Sequence, residues 1–288
     1  MNNLAHSVEE SGDLSLKMGR MLVESGKITS ADLGSIIDLQ NERGLRFGDA
    51  AIALGLVSQA DIRAVLAQQF AYPHIPDQTS RLHPSLTAAF RPECKEVEAL
   101  RGLRSELMLR YFNSAPNLSL TLTSADDASG VARTAANLAI VFAQMGLRTL
   151  LIDANLREPQ MHNLFGTGNR HPGLAELIAG RARSHPLPIP SLGPLWLLHA
   201  GTQAPNPQEL LSSRSYRERM SELFSLFDVT LISTSPMNDT RDAQLVAAHS
   251  GAALLVTQEH ASRMKDVEKM CSNLWGVGVR LLGVALRQ

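Results

Sequence analysis

Leu118-Ser119-Leu120-Thr121-Leu122-Thr123-Ser124-Ala125-Asp126-Asp127-Ala128-Ser129-Gly130-Val131-Ala132 decides how this chain folds. Its first part is an apolar, strand-like run, and Arg133 to Met145 beyond it has a helical pattern. A strand, a short loop and a helix in this order form the frame of a phosphate-binding loop. Such a loop needs several glycines, a Lys for the β/γ-phosphates and a Ser or Thr hydroxyl for Mg²⁺. Here Val131 stands at the Lys position and Ala132 at the hydroxyl position, beside Ser129 and the single glycine Gly130. Asp126 and Asp127 put negative charge where phosphates would lie.

From Leu118 onward, strand-like segments at 118–124, 148–154, 195–200, 229–234, 252–257 and 280–286 alternate with helical ones. The helical segments are 131–145, 173–180, 208–226, 240–250 and 262–275. Short apolar strands alternating with helices predict an α/β fold, a doubly wound, mostly parallel sheet with helices on both faces.

The chain has 288 residues, 44% apolar content and a formal net charge of −1. That balance gives no general attraction to nucleic acid or an anionic membrane, so no nucleic-acid polymer is expected as a partner. Cys94 and Cys271 lie far apart with no metal spacing and read as reduced thiols. No apolar run reaches the ~20 residues of a spanning helix. Residues 1–12 read as a polar, disordered lead without a signal sequence. The expected location is the cytoplasm, at the inner membrane only through a partner.

Residues 13–72 contain an internal repeat with an offset of 29. Lys17-Met18-Gly19 returns as Arg46-Phe47-Gly48, Gly26 as Gly55, Ile28 as Val57, Thr29 as Ser58 and Asp32 as Asp61. Leu33 returns as Ile62, Ile37 as Leu66 and Gln40 as Gln69. Gly26 and Gly55 suit left-handed helix ends, Thr29 and Ser58 suit N-caps, and the apolar positions follow helical spacing. A small, mainly helical tandem-motif domain follows. Residues 73–95, with four prolines, read as an irregular linker. Within the amphipathic helix Glu96 to Phe112, Glu98, Arg101 and Arg104 share one stripe, which by spacing alone is a solvated charged face.

Two family resemblances sharpen these readings. The tandem motif, two 24-residue copies with a five-residue spacer, resembles the N-terminal domains of type II secretion ATPases of the MshE type, which bind cyclic di-GMP. That resemblance implies ligand contacts from Lys17, Met18, Gly19, Leu22, Gly26, Leu33, Ile37, Gln40, Arg46, Phe47, Gly48, Gly55, Ile62, Leu66 and Gln69. The chain departs from the motif at Lys17, where Arg is expected, and at Ala51, where a larger aliphatic residue is expected. Lys does not replace Arg at a bidentate or stacked site.

Residues 96–288 resemble the bacterial tyrosine autokinases of capsule and exopolysaccharide synthesis. The resemblance rests on Thr123-Ser124-Ala125, Ala135-Ala136-Asn137-Leu138-Ala139 and Leu150 to Pro159, then on Gly173-Leu174, Ala200-Gly201-Thr202 and Leu282 to Leu286. It implies an oligomerisation role for Glu98, Arg101 and Arg104. It also implies a nucleotide site in which Asp153 is retained, Asn155 replaces a second acid, and Ser233 replaces the Mg²⁺-linked acid before Pro236. The family's tyrosine-rich tail is missing; Tyr72, Tyr111 and Tyr216 are the only tyrosines. With cation, metal groups and acceptor all altered, the sequence predicts a degenerate site, with ATP and Mg²⁺ unlikely, and a chain that is not an enzyme. The expectation is a pseudokinase regulator of exopolysaccharide biosynthesis that responds to cyclic di-GMP. Its expected partner is a membrane polysaccharide co-polymerase (chain-length determinant) or a homologous kinase, in a homo- or hetero-oligomer. Two alternatives stay open on the sequence: an active P-loop ATPase or autokinase with non-standard motifs, and a purely structural adaptor.

Overall fold

The computed structural model describes residues 17–59, 61–62, 65, 81–168, 171–181 and 185–287. The chain divides into two compact units, 1–76 and 77–288. The expected lead at 1–12, Leu66, Gln69 and Tyr72 lie outside the described residues.

In the first unit, α1 (residues 17–24) and α2 (Ser30–Arg43) are followed by α3 (Phe47–Ala53) and α4, helical at residues 59, 61, 62 and 65. The repeat survives as repeated hydrogen bonds. Gly26 and Gly55 both sit in left-handed backbone, at φ 70° and 69°. The Gly26 amide donates to Val23 and the Gly55 amide to Ile52; the Lys27 amide donates to Leu22 and the Leu56 amide to Ala51. Thr29 and Asp32 exchange capping hydrogen bonds, and Ser58 and Asp61 do the same. Leu22, Ile28, Ile36, Phe47, Ala51, Val57 and Ile62 fill a core shared by both copies.

One contact breaks the symmetry. Lys27 Nζ lies 2.8 Å from Asp61 Oδ1, joining the two copies, while the residue equivalent to Lys27 is Leu56. Hydrogen bonds from Lys27 and Ser58 hold the Asp61 carboxyl down at about 2. An unfolded Asp titrates near ~4. The stabilisation is therefore complete above about pH 4 and lost as pH falls through about 2. Asp61→Asn is expected to cost about 1 kcal/mol at neutral pH, the typical worth of an N-cap. It should also flatten the acid loss. Urea unfolding of the full chain, followed in the first unit by amide hydrogen exchange between pH 5 and 2, checks both.

The second unit is a seven-stranded sheet of β1 (Leu118–Thr123), β2 (Thr149–Asp153), β3 (Leu187–Pro188), β4 (Leu195–Leu198), β5 (Val229–Ser233), β6 (Ala252–Gln258) and β7 (Arg280–Arg287). The order is β3-β4-β2-β5-β1-β6-β7, with every pairing parallel except β3 with β4. β1, β2 and β5 are buried over nearly their whole length and carry no charged residue before the terminal Asp153 of β2. α5 (Thr87–Phe90), α6 (Lys95–Arg110) and α7 (Ala128–Ala143) come first in this unit. α7 is Ala-rich and buried on almost every face, packed against α5, α6 and several strands. α8 (Met161–Leu164), α9 (Leu174–Ala179), α10 (Pro207–Ser212), α11 (Arg214–Phe224), α12 (Asp242–Ser250) and α13 (Met264–Trp275) complete the layers. Tyr216, Met220 and Phe224 of α11 pack with Leu150, Ile152 and Val246 in one core, and Ala243, Leu255, Met270 and Leu274 pack in another.

The structure corrects two expectations. The helix expected over 208–226 is broken at Ser213, whose hydroxyl accepts from the Tyr216 amide and starts a new helix. The irregular linker expected over 73–95 is also too long. Residues 81–95 belong to the second unit, with Leu86, Thr87, Ala88 and Ala89 buried. The reason is Asn137 of α7. Its Oδ1 accepts from the Ala88 amide (2.9 Å), and its Nδ2 donates to the carbonyls of Ser85 (2.9 Å) and Arg133 (3.0 Å).

Candidate functional site

The parallel strands β1, β2 and β5 bring their carboxyl ends to one edge, where ligands of open α/β sheets bind. Register sets Ser233 of β5 beside Asp153 of β2 and Leu122 of β1. The loop after β1 is tied down by Thr234, whose amide and hydroxyl donate to Leu122, and by the Met237 and Asn238 amides on Ser124 and Ala125. Within the loop, the Asp127 amide donates to Ser124 Oγ (2.9 Å) and Asp127 Oδ1 accepts from the Gly130 amide (2.7 Å), capping α7. Asp127 Oδ2 also faces Arg287 Nη1 at 2.6 Å, across 160 residues of sequence. A side chain at Gly130 would collide with both groups, so only Gly permits this approach. Val131 and Ala132 point into the core, 0% and 3% exposed, while Ser129 and Asp126 are exposed.

Asp153 is 2% exposed and spoken for. Its carboxylate accepts from the amides of Asn155 (3.2 Å), Gln160 (2.9 Å) and Met161 (3.0 Å), closing the turn from β2 into α8. Burial pushes its carboxyl up to about 6 against the pull of those donors. Asn155 Oδ1 accepts from the Glu158 amide, and Arg157 pairs with the buried Asp242 at 2.7 Å. Beyond Asp153, His162, His171 and His199 line a cavity of about 40 Å³. His199 is driven down to about 4 by burial and by the neighbouring His171 and His162, so it is neutral near pH 7. Among the described residues, no group of three or more His, Cys, Asp or Glu is arranged to hold a metal.

Against the needs of bound Mg-ATP, this donor set falls short as it stands. Val131 at the Lys position is buried, Ser233 is buried without charge, Asp153 is committed to backbone amides, and the Gly130 amide is taken by Asp127. The Asp127–Arg287 pair is the part that sequence reasoning missed, since no spacing links a loop residue to the last strand.

In the tandem-motif unit the expected ligand residues separate by depth. Lys17, Gly26, Arg46 and Gly55 are exposed, Met18, Leu33, Ile37, Gln40 and Gly48 are half-buried, and Gly19, Leu22, Phe47 and Ile62 are buried. Arg46 is the N-cap residue of α3, and its side chain makes no capping bond. Gly19 and Gly48 also make room for packing. The space a side chain would need at Gly19 is held by Leu33 and Phe47, and at Gly48 by Ile62. Gly19 lets α1 approach α2 of its own copy and α3 of the other, and Gly48 lets α3 approach α4 within the second copy. Ala51, 0% exposed, likewise fits where a larger residue would crowd that core.

On α6, Arg101 pairs with Glu98 at 3.1 Å, and Arg104 donates to the Val141 carbonyl of α7 at 3.0 Å. Arg104 is thus engaged within the chain, and the outward part of the stripe is Glu98 with Arg101. Tyr111 and Tyr216 are 6% and 1% exposed.

A parallel sheet with a loop-to-helix turn after β1 and an acid ending β2 defines the P-loop type of α/β domain. Within that class, the chain belongs to the bacterial tyrosine-protein kinase family. It is 33% identical over 201 residues to the putative tyrosine-protein kinase CapB of Staphylococcus aureus, covering 69% of this chain and 86% of CapB. It is also 33% identical over 202 residues to the tyrosine-protein kinase Wzc of Salmonella typhimurium, covering 70% of this chain but 28% of Wzc. The solved kinase domain of the Escherichia coli tyrosine kinase Etk superposes with a TM-score of 0.65 at 30% identity, covering 75% of this chain and 80% of that one. No family model matches the chain. Among the described residues, no helix is long and apolar enough to cross a membrane.

These relatives correct one expectation. The chain was expected not to be an enzyme, on the strength of Val131, Ala132, Ser233 and the missing tyrosine acceptors. The proteins it matches are named as tyrosine-protein kinases, which are enzymes, so that expectation does not stand. The inference failed because it equated the loss of particular side chains with the loss of the function they serve.

Proposed function

We propose that this protein serves exopolysaccharide biosynthesis or export as a tyrosine-kinase-family component whose N-terminal unit binds cyclic di-GMP. Its C-terminal unit meets a membrane polysaccharide co-polymerase or a homologous kinase, and the α6 stripe of Glu98, Arg101 and Arg104 serves contacts between subunits. The observation that carries this reading is the duplicated motif: its capping and turn hydrogen bonds recur at an offset of 29, and each copy opens on an exposed cation, Lys17 or Arg46. A guanine offers O6 and N7 acceptors to a guanidinium fork, and two copies suit a ligand with two guanine halves.

Calorimetry of the full chain with cyclic di-GMP tests this. Arg46→Ala is expected to weaken binding about 10- to 100-fold, the worth of one bidentate base contact. Lys17→Arg is expected to tighten it, because a fork replaces a point charge. Equal affinities for all three proteins would count against the assignment.

A further inference from the structure

The pair between Asp127 and Arg287 has the chemistry of an occupied anion site. Asp127 offers one carboxylate oxygen to the Gly130 amide at the start of α7 and the other to the Arg287 guanidinium, at 2.7 and 2.6 Å. A backbone amide at a helix N-terminus and a guanidinium are the donors that a phosphate also takes. Arg287 is held firmly: its strand pairs with β6 opposite Gln258, and its carbonyl accepts from the Glu259 amide at 2.8 Å. Its side chain is 18% exposed. A groove of about 750 Å³ opens beside it, lined by Arg133, Asn137 and Leu286 together with Lys95, Glu96 and Leu100 of α6.

We infer that Arg287, delivered by the last strand, is the cation that serves this loop in place of the Lys absent at position 131. Asp127 is the internal anion that occupies it until a polyphosphate displaces the carboxylate. The contact is thus a built-in competitor. An incoming phosphate meets a carboxylate already on its donors, and like charges brought together cost affinity. Removing the carboxylate's charge releases the guanidinium to the ligand. This inference does not depend on the cyclic di-GMP reading, which concerns the other unit.

The test is titration calorimetry of the full chain with inorganic tripolyphosphate, and then with Mg-ATP, on the wild type, Asp127→Asn, Arg287→Met and Arg287→Lys. Asp127→Asn keeps the cap on Gly130 through its amide oxygen and loses the charge. It is expected to bind tripolyphosphate about tenfold or more tightly than the wild type. Arg287→Met should bind at least tenfold more weakly than the wild type, and Arg287→Lys should stay within a few-fold of it. Unfolding curves for each variant separate loss of binding from loss of structure. The inference is overturned if Asp127→Asn gains nothing, if folded Arg287→Met binds like the wild type, or if no protein in the set binds at millimolar ligand.

Discussion

Asp153→Ala is expected to lower the stability of the second unit by roughly 3 kcal/mol, because three buried amides lose their acceptor together and each unsatisfied donor costs about 1–3 kcal/mol. Part of that loss is returned, since the variant no longer buries a carboxylate whose titration burial has already pushed up to about 6. The sign of the pH effect follows from that shift. The folded chain holds this proton more tightly than the unfolded chain, where Asp titrates near ~4. The wild type therefore gains stability as pH falls from above 6 toward 4, and the variant does not. The gap between them should be wider at pH 5 than at pH 7. Urea unfolding at the two values measures it. A variant within 0.5 kcal/mol of the wild type at both, on the order of a neutral surface change, would contradict the stapling role of Asp153.

Asn137→Ala is expected to cost about 2–4 kcal/mol, combining lost hydrogen bonds with a small cavity in a fully packed helix. Asn137 is 2% exposed, and its amide is shared between the Ala88 amide and the carbonyls of Ser85 and Arg133. Its loss should release 81–90 from α7 before the sheet unfolds. Trypsin cleavage after Arg81, which precedes Leu82, should then accelerate in native conditions well ahead of global unfolding. Asn137→Leu fills the space without the hydrogen bonds and is expected to recover little. Gln144, whose Nε2 donates to the Ala88 carbonyl at 3.0 Å, keeps a second hold on the same segment, so release is partial.

The alternation of apolar strands with helices made the sheet legible, because strands buried on both faces carry a signal that does not depend on their neighbours. β1, β2, β5 and β6 fall within a residue of their expected limits. The two-residue β3 carried no such signal and went unread. The segment 81–95 was misread for a related reason. Its prolines and polar residues are local features, whereas its burial is set by Asn137, some 50 residues away. The glycines of the tandem motif show the opposite case. Their positions were legible, but Gly26 and Gly55 answer to backbone conformation while Gly19 and Gly48 answer to the bulk of Leu33, Phe47 and Ile62. Sequence separates those roles only when the partner helix is known. At the loop, the replacements at 131, 132 and 233 were plain to read. The Arg287 guanidinium that reaches Asp127 was not, since it comes from the far edge of the sheet.

The central claim is that the duplicated motif is a cyclic di-GMP site in a tyrosine-kinase-family protein. Titration of the full chain with cyclic di-GMP tests it most directly. The account predicts saturable heat at micromolar ligand, with Arg46→Ala shifting the curve to higher concentration while the protein stays folded. No heat at tens of micromolar, or an Arg46→Ala curve that overlays the wild type, would contradict it.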